Sequence, residues 1–227
     1  MSENSTSYGK DLGDMNLLEA LLPALASIDA IERIRVSYLQ PAELRSGLIE
    51  AMVSTNKVAP YFDLSFQHAS PSVLRRMRRF GGSEEFLGLI HSIRSRAPEA
   101  GIRSNVIVGF PGETDADVEQ LANFIAAARL DAVGVFGYSD EEGTAAVSLD
   151  GHLPQDDVDA RVAYISDIVQ RTCDDVAVAR VGQTVSVLID EEDNTGRALH
   201  QGPEVDGVTV VRSTRVIPIG EVVSAQV

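Results

Sequence analysis

The chain has 227 residues, 44% of them hydrophobic, and a formal net charge of −15. That length holds one ordinary domain or a larger and a smaller one, and no run of about 18 apolar residues offers a membrane-spanning helix. One cysteine, Cys173, excludes a disulfide framework and suits a reducing cytoplasm, and the acidity should repel nucleic-acid phosphates while attracting basic partners.

Leu17, Leu18, Leu21, Leu22, Leu25 and Ile28 recur at helical spacing. Residues 34–39 alternate as a strand, and Pro41 opens a helix carrying Leu44, Leu48, Ile49 and Met52. Residues 62–66 read as the next strand. Ser70 and Pro71 start a short helix through Met77, and Ser83 starts another bearing Phe86, Leu87, Ile90 and Ile93. A strand over 102–109 runs into a turn made by Gly109, Pro111 and Gly112, after which 115–129 is helical. An apolar strand over 132–136 follows, then one long helix over 156–180. Beyond Gly182 the texture changes: 184–189 alternates, 194–196 forms a turn, and 208–211 and 216–219 are further strands.

Alternation of strands and helices predicts an α/β fold whose parallel sheet has right-handed crossovers and forms part of a barrel. The tail predicts a small all-β barrel of the oligomer-binding (OB) kind. In such α/β barrels the chemistry collects at the carboxyl ends of the strands. Those ends are 38–40, 66–68, 109–114 and 137–142, and each places polar or glycine residues after an apolar run.

Gln67 and His68 stand at one of these ends. Asn105 is an amide inside an apolar strand, where it needs a partner from a ligand or a neighbouring strand. Gly109 and Gly112 let backbone approach a ligand closely, and Glu113 precedes a helix start with unpaired N–H groups. Arg75, Arg76, Arg78 and Arg79 form the only dense basic run. A solvated face is the ordinary reading of such a run; an anion or substrate contact is the sharper one. His91, His152 and His200 have no metal-ligand spacing, so no zinc site is expected.

Four blocks carry more information together than apart: YFDLSFQH at 61–68, MRR at 77–79, IVGFPGET at 107–114 and FGYSDEEGT at 136–144. In this order and spacing they resemble the methylthiotransferase branch of the radical S-adenosylmethionine (SAM) enzymes, from about Ser5 to the end of the chain. The resemblance implies a partial radical-SAM (β/α) barrel over 1–181 and a TRAM domain (OB-like) over 182–227, cut short at its end. It implies S-adenosylmethionine as cofactor, with Gln67, His68, Asn105, Gly109, Gly112, Glu113 and Tyr138 around it and Ser139 on the rim. Arg78, Arg79, Glu204 and Asp206 are the expected substrate contacts.

Enzymes of that family hold a 4Fe–4S cluster on the three thiolates of a CxxxCxxC motif, and Cys173 alone cannot. In the family those cysteines precede a segment like residues 3–11. The expectation is a carboxyl-terminal portion with no catalytic residue or metal ligand of its own, inactive alone; an intact protein without its cluster is the alternative. Within the family, Gln67-His68-Ala69-Ser70, DEEGT at 140–144 and GPEVDG at 202–207 resemble the branch that modifies an aspartate of small ribosomal subunit protein twelve. Residues 183–227 carry seven acids against three arginines, which suits a basic ribosomal protein better than RNA. A tRNA-modifying methylthiotransferase and a non-catalytic substrate-binding module stay open.

Overall fold

The computed structural model describes residues 4–203 and 206–227. Strands Tyr61–Gln67 (β1), Gly101–Val108 (β2) and Ala132–Gly137 (β3) pair in parallel, in that order. Around them lie helices Leu17–Ala26 (α1), Ser46–Ser54 (α2), Pro71–Arg76 (α3), Ser83–Arg94 (α4), Asp115–Ala128 (α5) and Gln155–Ala179 (α6). Period-two alternation sorts the side chains. Phe62, Leu64 and Phe66 of β1 and Ile102, Val106 and Val108 of β2 are buried against the helices. Phe66 sits 4.5 Å from Phe86 and 5.4 Å from Phe124 between ring centroids, so β1, α4 and α5 meet in one aromatic knot. Burial of each such side chain contributes roughly 1.5–3 kcal/mol. The opposite face carries Asp63, Gln67, Arg103 and Asn105. α6 closes over β3 with Ile165 and Val169 buried.

The strand expected over 34–39 does not form. Ile34 and Leu39 make single bridges, to Val58 and Leu64. Between them Tyr38 turns to φ 58, and its N–H bonds the Asp63 carboxylate at 2.9 Å instead of a strand carbonyl. Pro41 opens only a short 3-10 turn, Pro41–Glu43, before α2 begins at Ser46.

The second sheet is antiparallel, from Thr184–Ile189 (β4), Thr195–Ala198 (β5), Thr209–Val210 (β6) and Val222–Gln226 (β7), in the order β6-β5-β4-β7. β5 was legible only as a turn, and 216–219 is not a strand: Pro218 has no N–H, and the Ile217 N–H is taken by the Asn194 side chain at 2.6 Å. Ile217 is nonetheless buried with Val187, Ile189 and Ala198 in a small core.

The two sheets meet at the amino ends of β1 and β2 through polar contacts. Asp206 accepts a hydrogen bond from the Tyr61 hydroxyl at 2.5 Å and pairs with Arg103 at 3.1 Å, and Arg103 also pairs with Asp63 at 3.2 Å. Burial and the Asp206 carboxylate hold the Tyr61 phenol protonated. Arg33 donates to the Arg197 carbonyl at 3.0 Å, and Arg35 to the carbonyls of Ala198 and Leu199 at 3.3 and 3.1 Å. Gly101 is needed where it stands, since a Cβ there would lie 2.3 Å from the His200 carbonyl oxygen.

Asp206→Ala removes one of two acids from Arg103 and the acceptor of Tyr61, and is expected to cost about 2 kcal/mol. A urea midpoint equal to the parent's would show that the junction adds no stability. Burial, then the nearby Arg180, push His200 down to about 4. An unfolded imidazole titrates near 6.5, so below that pH protons favour the unfolded chain: stability is whole above pH about 6.5 and falls toward pH 4. The expected loss is of order 1 kcal/mol, and His200→Gln should flatten it in melts at pH 7, 5.5 and 4.5.

Candidate functional site

The carboxyl ends of β1, β2 and β3 open on a cleft of about 600 Å³ walled by Gln67, Asn105, Phe136, Tyr138, Arg78 and Arg79. Five of these six are residues that the sequence had singled out. Gln67 ends β1 at a slip in register, with φ 67, and lines the cleft beside Asn105. Asn105 accepts from Arg103 at 3.0 Å, so its carbonyl oxygen is fixed and its NH₂ carries no hydrogen bond among the described residues. The Tyr138 ring packs edge-on to Phe110 at 5.1 Å, and its hydroxyl donates to Asp140 at 2.8 Å. Partial burial and that carboxylate raise the phenol to about 12.

Of the turn between β2 and α5 only Phe110 lines the cleft, and Gly109 and Gly112, expected around the ligand, lie behind it. Gly109 has φ +78, and a Cβ on it would come 2.7 Å from Val158 of α6, so no other residue fits without displacement. Glu113 folds back beneath the turn and accepts hydrogen bonds from the N–H groups of Gly109 and Phe110. His68 accepts from the Ser70 N–H through Nδ1 at 2.9 Å, which leaves its ring proton on Nε2, 3.6 Å from Glu113. Arg161 of α6 approaches the same carboxylate at 3.6 Å. His68 and Glu113 are 0% and 3% exposed. They stand behind the cleft and shape it rather than line it. Gly112 has φ +82 and lies against the Arg76 guanidinium.

Of the remaining expected contacts, Asp206 is at the junction of the two sheets with 3% of its side chain exposed, remote from this cleft. Glu204 lies outside the described residues.

Two supporting residues, Asp117 and Arg161, escaped the sequence reading, and a third, Arg76, was seen only as part of the basic run. Arg76 donates to the Pro111 carbonyl at 2.7 Å and to Asp150 at 2.6 Å, tying α3 to the turn. Asp117, in spite of its partial burial, is held well below the usual carboxylate range by the hydroxyls of Ser70, Ser72 and Thr114. Those bonds join α3 to α5. Its signal was available: Thr114 and Asp117 have the spacing of a reciprocal helix cap, which the structure forms. Arg161 had no local signal, because it reaches Glu113 across 48 positions of sequence.

The wall of the cleft, with flat aromatic surface, two amides and two guanidinium groups, fits a ligand with a heteroaromatic ring and a carboxylate, the make-up of S-adenosylmethionine. An iron–sulfur cluster does not fit the residues of this chain. Its one thiol, Cys173, lies half-buried on α6, donates to the Leu130 carbonyl at 3.6 Å and is pushed up to about 11 by burial.

The Radical SAM superfamily model matches residues 6–125, and the TRAM domain model matches 181–227. The chain belongs to the radical SAM superfamily. Within it, the chain is 61% identical over 216 residues to the ribosomal protein uS12 methylthiotransferase RimO of Nocardioides sp., covering 92% of this chain and 45% of that protein. It is 58% identical over 236 residues to RimO of Kineococcus radiotolerans, covering 100% of this chain and 49% of that protein. The chain thus spans about half the length of the curated relatives it matches. Among solved structures, coproporphyrinogen III oxidase (HemN) from Escherichia coli matches with a TM-score of 0.54 at 17% identity, over 70% of this chain and 36% of that one. That likeness concerns the fold alone.

If Glu113 holds the turn, Glu113→Ala should cost about 2–4 kcal/mol by leaving two buried N–H groups without their acceptor and Arg161 without a nearby counter-charge. Glu113→Gln keeps an acceptor oxygen and should cost clearly less. Equal guanidinium chloride midpoints for the two variants would refute this account of the carboxylate.

Proposed function

We propose that this chain is the S-adenosylmethionine- and substrate-recognising portion of a radical SAM methylthiotransferase that acts on an aspartate of ribosomal protein uS12. The observation that carries this reading is the cleft: residues distant in sequence converge at the strand ends, as a superfamily ligand site requires. S-adenosylmethionine, bound there, is the source of a hydrogen-abstracting radical and of a methyl group in this chemistry. The chain's own residues do three things. Phe136 and Tyr138 offer flat apolar surface to a ring, Asn105 and Gln67 offer amide donors and acceptors, and Glu113 with His68 keeps the Gly109 turn in place. With a single cysteine the chain is proposed to bind without turning over.

The tail favours a basic protein as substrate over RNA. Residues 183–227 hold seven acids and three arginines. Two of those arginines are already paired, Arg197 with Asp190 at 2.6 Å and Arg215 with Glu221, while Glu192 and Asp193 stand exposed at the turn between β4 and β5. Phosphates would meet repulsion there, and a lysine-rich surface would meet attraction that weakens with salt. A cytoplasmic site of action goes with this reading, and no helix among the described residues is long and apolar enough to cross a membrane.

Equilibrium binding tests both halves. The full chain should bind S-adenosylmethionine in the micromolar to millimolar range, about 4–8 kcal/mol, and Tyr138→Ala should weaken it about tenfold. It should bind uS12 more tightly at low than at high salt, and more tightly than it binds tRNA. Stronger tRNA binding would transfer the chain to the tRNA-modifying branch, and undetectable binding of S-adenosylmethionine would remove the cleft from the account.

A further inference from the structure

Three arginines meet far from the cleft, at the amino ends of β2 and β3. Arg94 is the last residue of α4, while Arg129 and Arg180 directly follow α5 and α6. Together with Asp131 they line a hollow of about 260 Å³ whose other walls include Ala100 and Val176. Three guanidinium groups against one carboxylate leave two positive charges in excess there. This happens in a chain with 34 acidic residues against 19 lysines and arginines.

The single acid is already occupied. Its Oδ1 takes the Arg180 guanidinium, and its Oδ2 accepts from the Ile102 N–H at 2.8 Å. Arg94 is half-buried and donates to the carbonyls of Ala128, at 2.7 Å, and Arg129. A cation is ordinary at that place, since the last carbonyls of a helix carry about half an elementary charge. Arg129 adds a charge that neither arrangement needs. Its guanidinium forms no hydrogen bond or ion pair among the described residues, and its backbone stands at φ 48, where glycine is the usual residue. Burial lowers the Arg94 pKa, Asp131 offsets part of that, and Arg129 and Arg180 add to it.

We propose that Arg94, Arg129 and Arg180 form a binding site for a single phosphate group, separate from the cleft at the other end of the strands. Guanidinium groups from three helix ends border one hollow, which suits the several oxygens of a tetrahedral dianion better than the two of a carboxylate. The excess of two positive charges matches a phosphate dianion, and the apolar walls strengthen the attraction by keeping water away. Bound phosphate would tie the ends of α4, α5 and α6 together just before the chain enters the second sheet at β4. The site needs neither S-adenosylmethionine nor a protein substrate, so it stands or falls apart from the reading of the cleft. Inorganic phosphate and the phosphate of a small monoester share this chemistry.

Calorimetric titration of the full chain at pH 7.5, with ionic strength held constant by sodium chloride, compares inorganic phosphate with methyl phosphate. Inorganic phosphate should bind one to one with a Kd of about a millimolar. Equal binding of methyl phosphate extends the site to small esters, and its rejection confines the site to the free ion. Arg129→Gln removes no contact of the fold and should weaken binding about tenfold, while Arg129→Lys should recover part of the loss. Arg96→Gln is the control: Arg96 lies two residues beyond Arg94 but pairs with Glu50 at 3.8 Å, outside the hollow, so its loss should leave the affinity unchanged. Thermal melts should rise with phosphate in the parent and in Arg96→Gln, and not in Arg129→Gln. Heat that does not saturate, a rise that chloride reproduces at the same ionic strength, or undiminished binding by Arg129→Gln overturns the site.

Discussion

The buried carboxylate of Glu113 is the interaction on which the shape of the cleft depends. A carboxylate removed from water is unfavourable by several kcal/mol unless donors and positive charge gather around it. Here they come from separate parts of the chain: Oε2 accepts from the N–H groups of Gly109 and Phe110 after β2, while His68 after β1 and Arg161 on α6 approach the carboxylate at 3.6 Å, and Oε1 makes no hydrogen bond among the described residues. Burying that charge is tolerable only while all of them are in place. The requirement couples two strand ends to a helix that begins some forty residues later. Loss of any one donor loosens the turn at the base of the ligand site, so the charge that is hardest to bury also makes the geometry specific.

The face of the sheet turned away from the helices is divided along its length. At the amino ends its charges are matched: Asp63, Arg103 and Asp206 form a chain of ion pairs that the Tyr61 hydroxyl completes. At the carboxyl ends they are not, for Asn105 keeps free donors and Arg78 and Arg79 have no acid among the described residues. Matched polar groups stabilise, whereas unmatched ones at an open cleft are left to water or to a ligand. One strand, β2, contributes to both ends: Arg103 serves the junction, and two residues on Asn105 serves the cleft. Their mutual hydrogen bond at 3.0 Å links the two. This is the division expected of an α/β barrel, with stability below and chemistry above.

How much of this was legible in the sequence depended on the range of the interaction. The helices α4, α5 and α6 follow from apolar spacing, and the turn after β2 follows from Gly109, Pro111 and Gly112, because both are local. Gln67, Asn105 and Tyr138 were singled out because they follow or interrupt apolar strand patterns, and they line one cleft. Residues 34–39 misled because alternation cannot reveal that Asp63 would capture the Tyr38 N–H. β5 was hidden behind the turn residues 194–196, and 216–219 read as a strand although Asn194 and Pro218 deny it a ladder. His68 and Glu113 were noticed but assigned to the ligand, since nothing in their spacing shows that they face each other in the interior. Asp206 was assigned to substrate for a similar reason: its partners Tyr61 and Arg103 lie more than a hundred positions away.

The charge distribution makes two opposite recognitions compatible. At a distance the chain is strongly negative, and its field draws in basic partners. That field decays over about 8 Å at physiological ionic strength. Within the cleft the local terms dominate, because low-dielectric walls strengthen the interaction of any anion with Arg78 and Arg79 while screening it poorly. A net charge of −15 and a wall of arginines without acidic partners among the described residues thus act at different ranges.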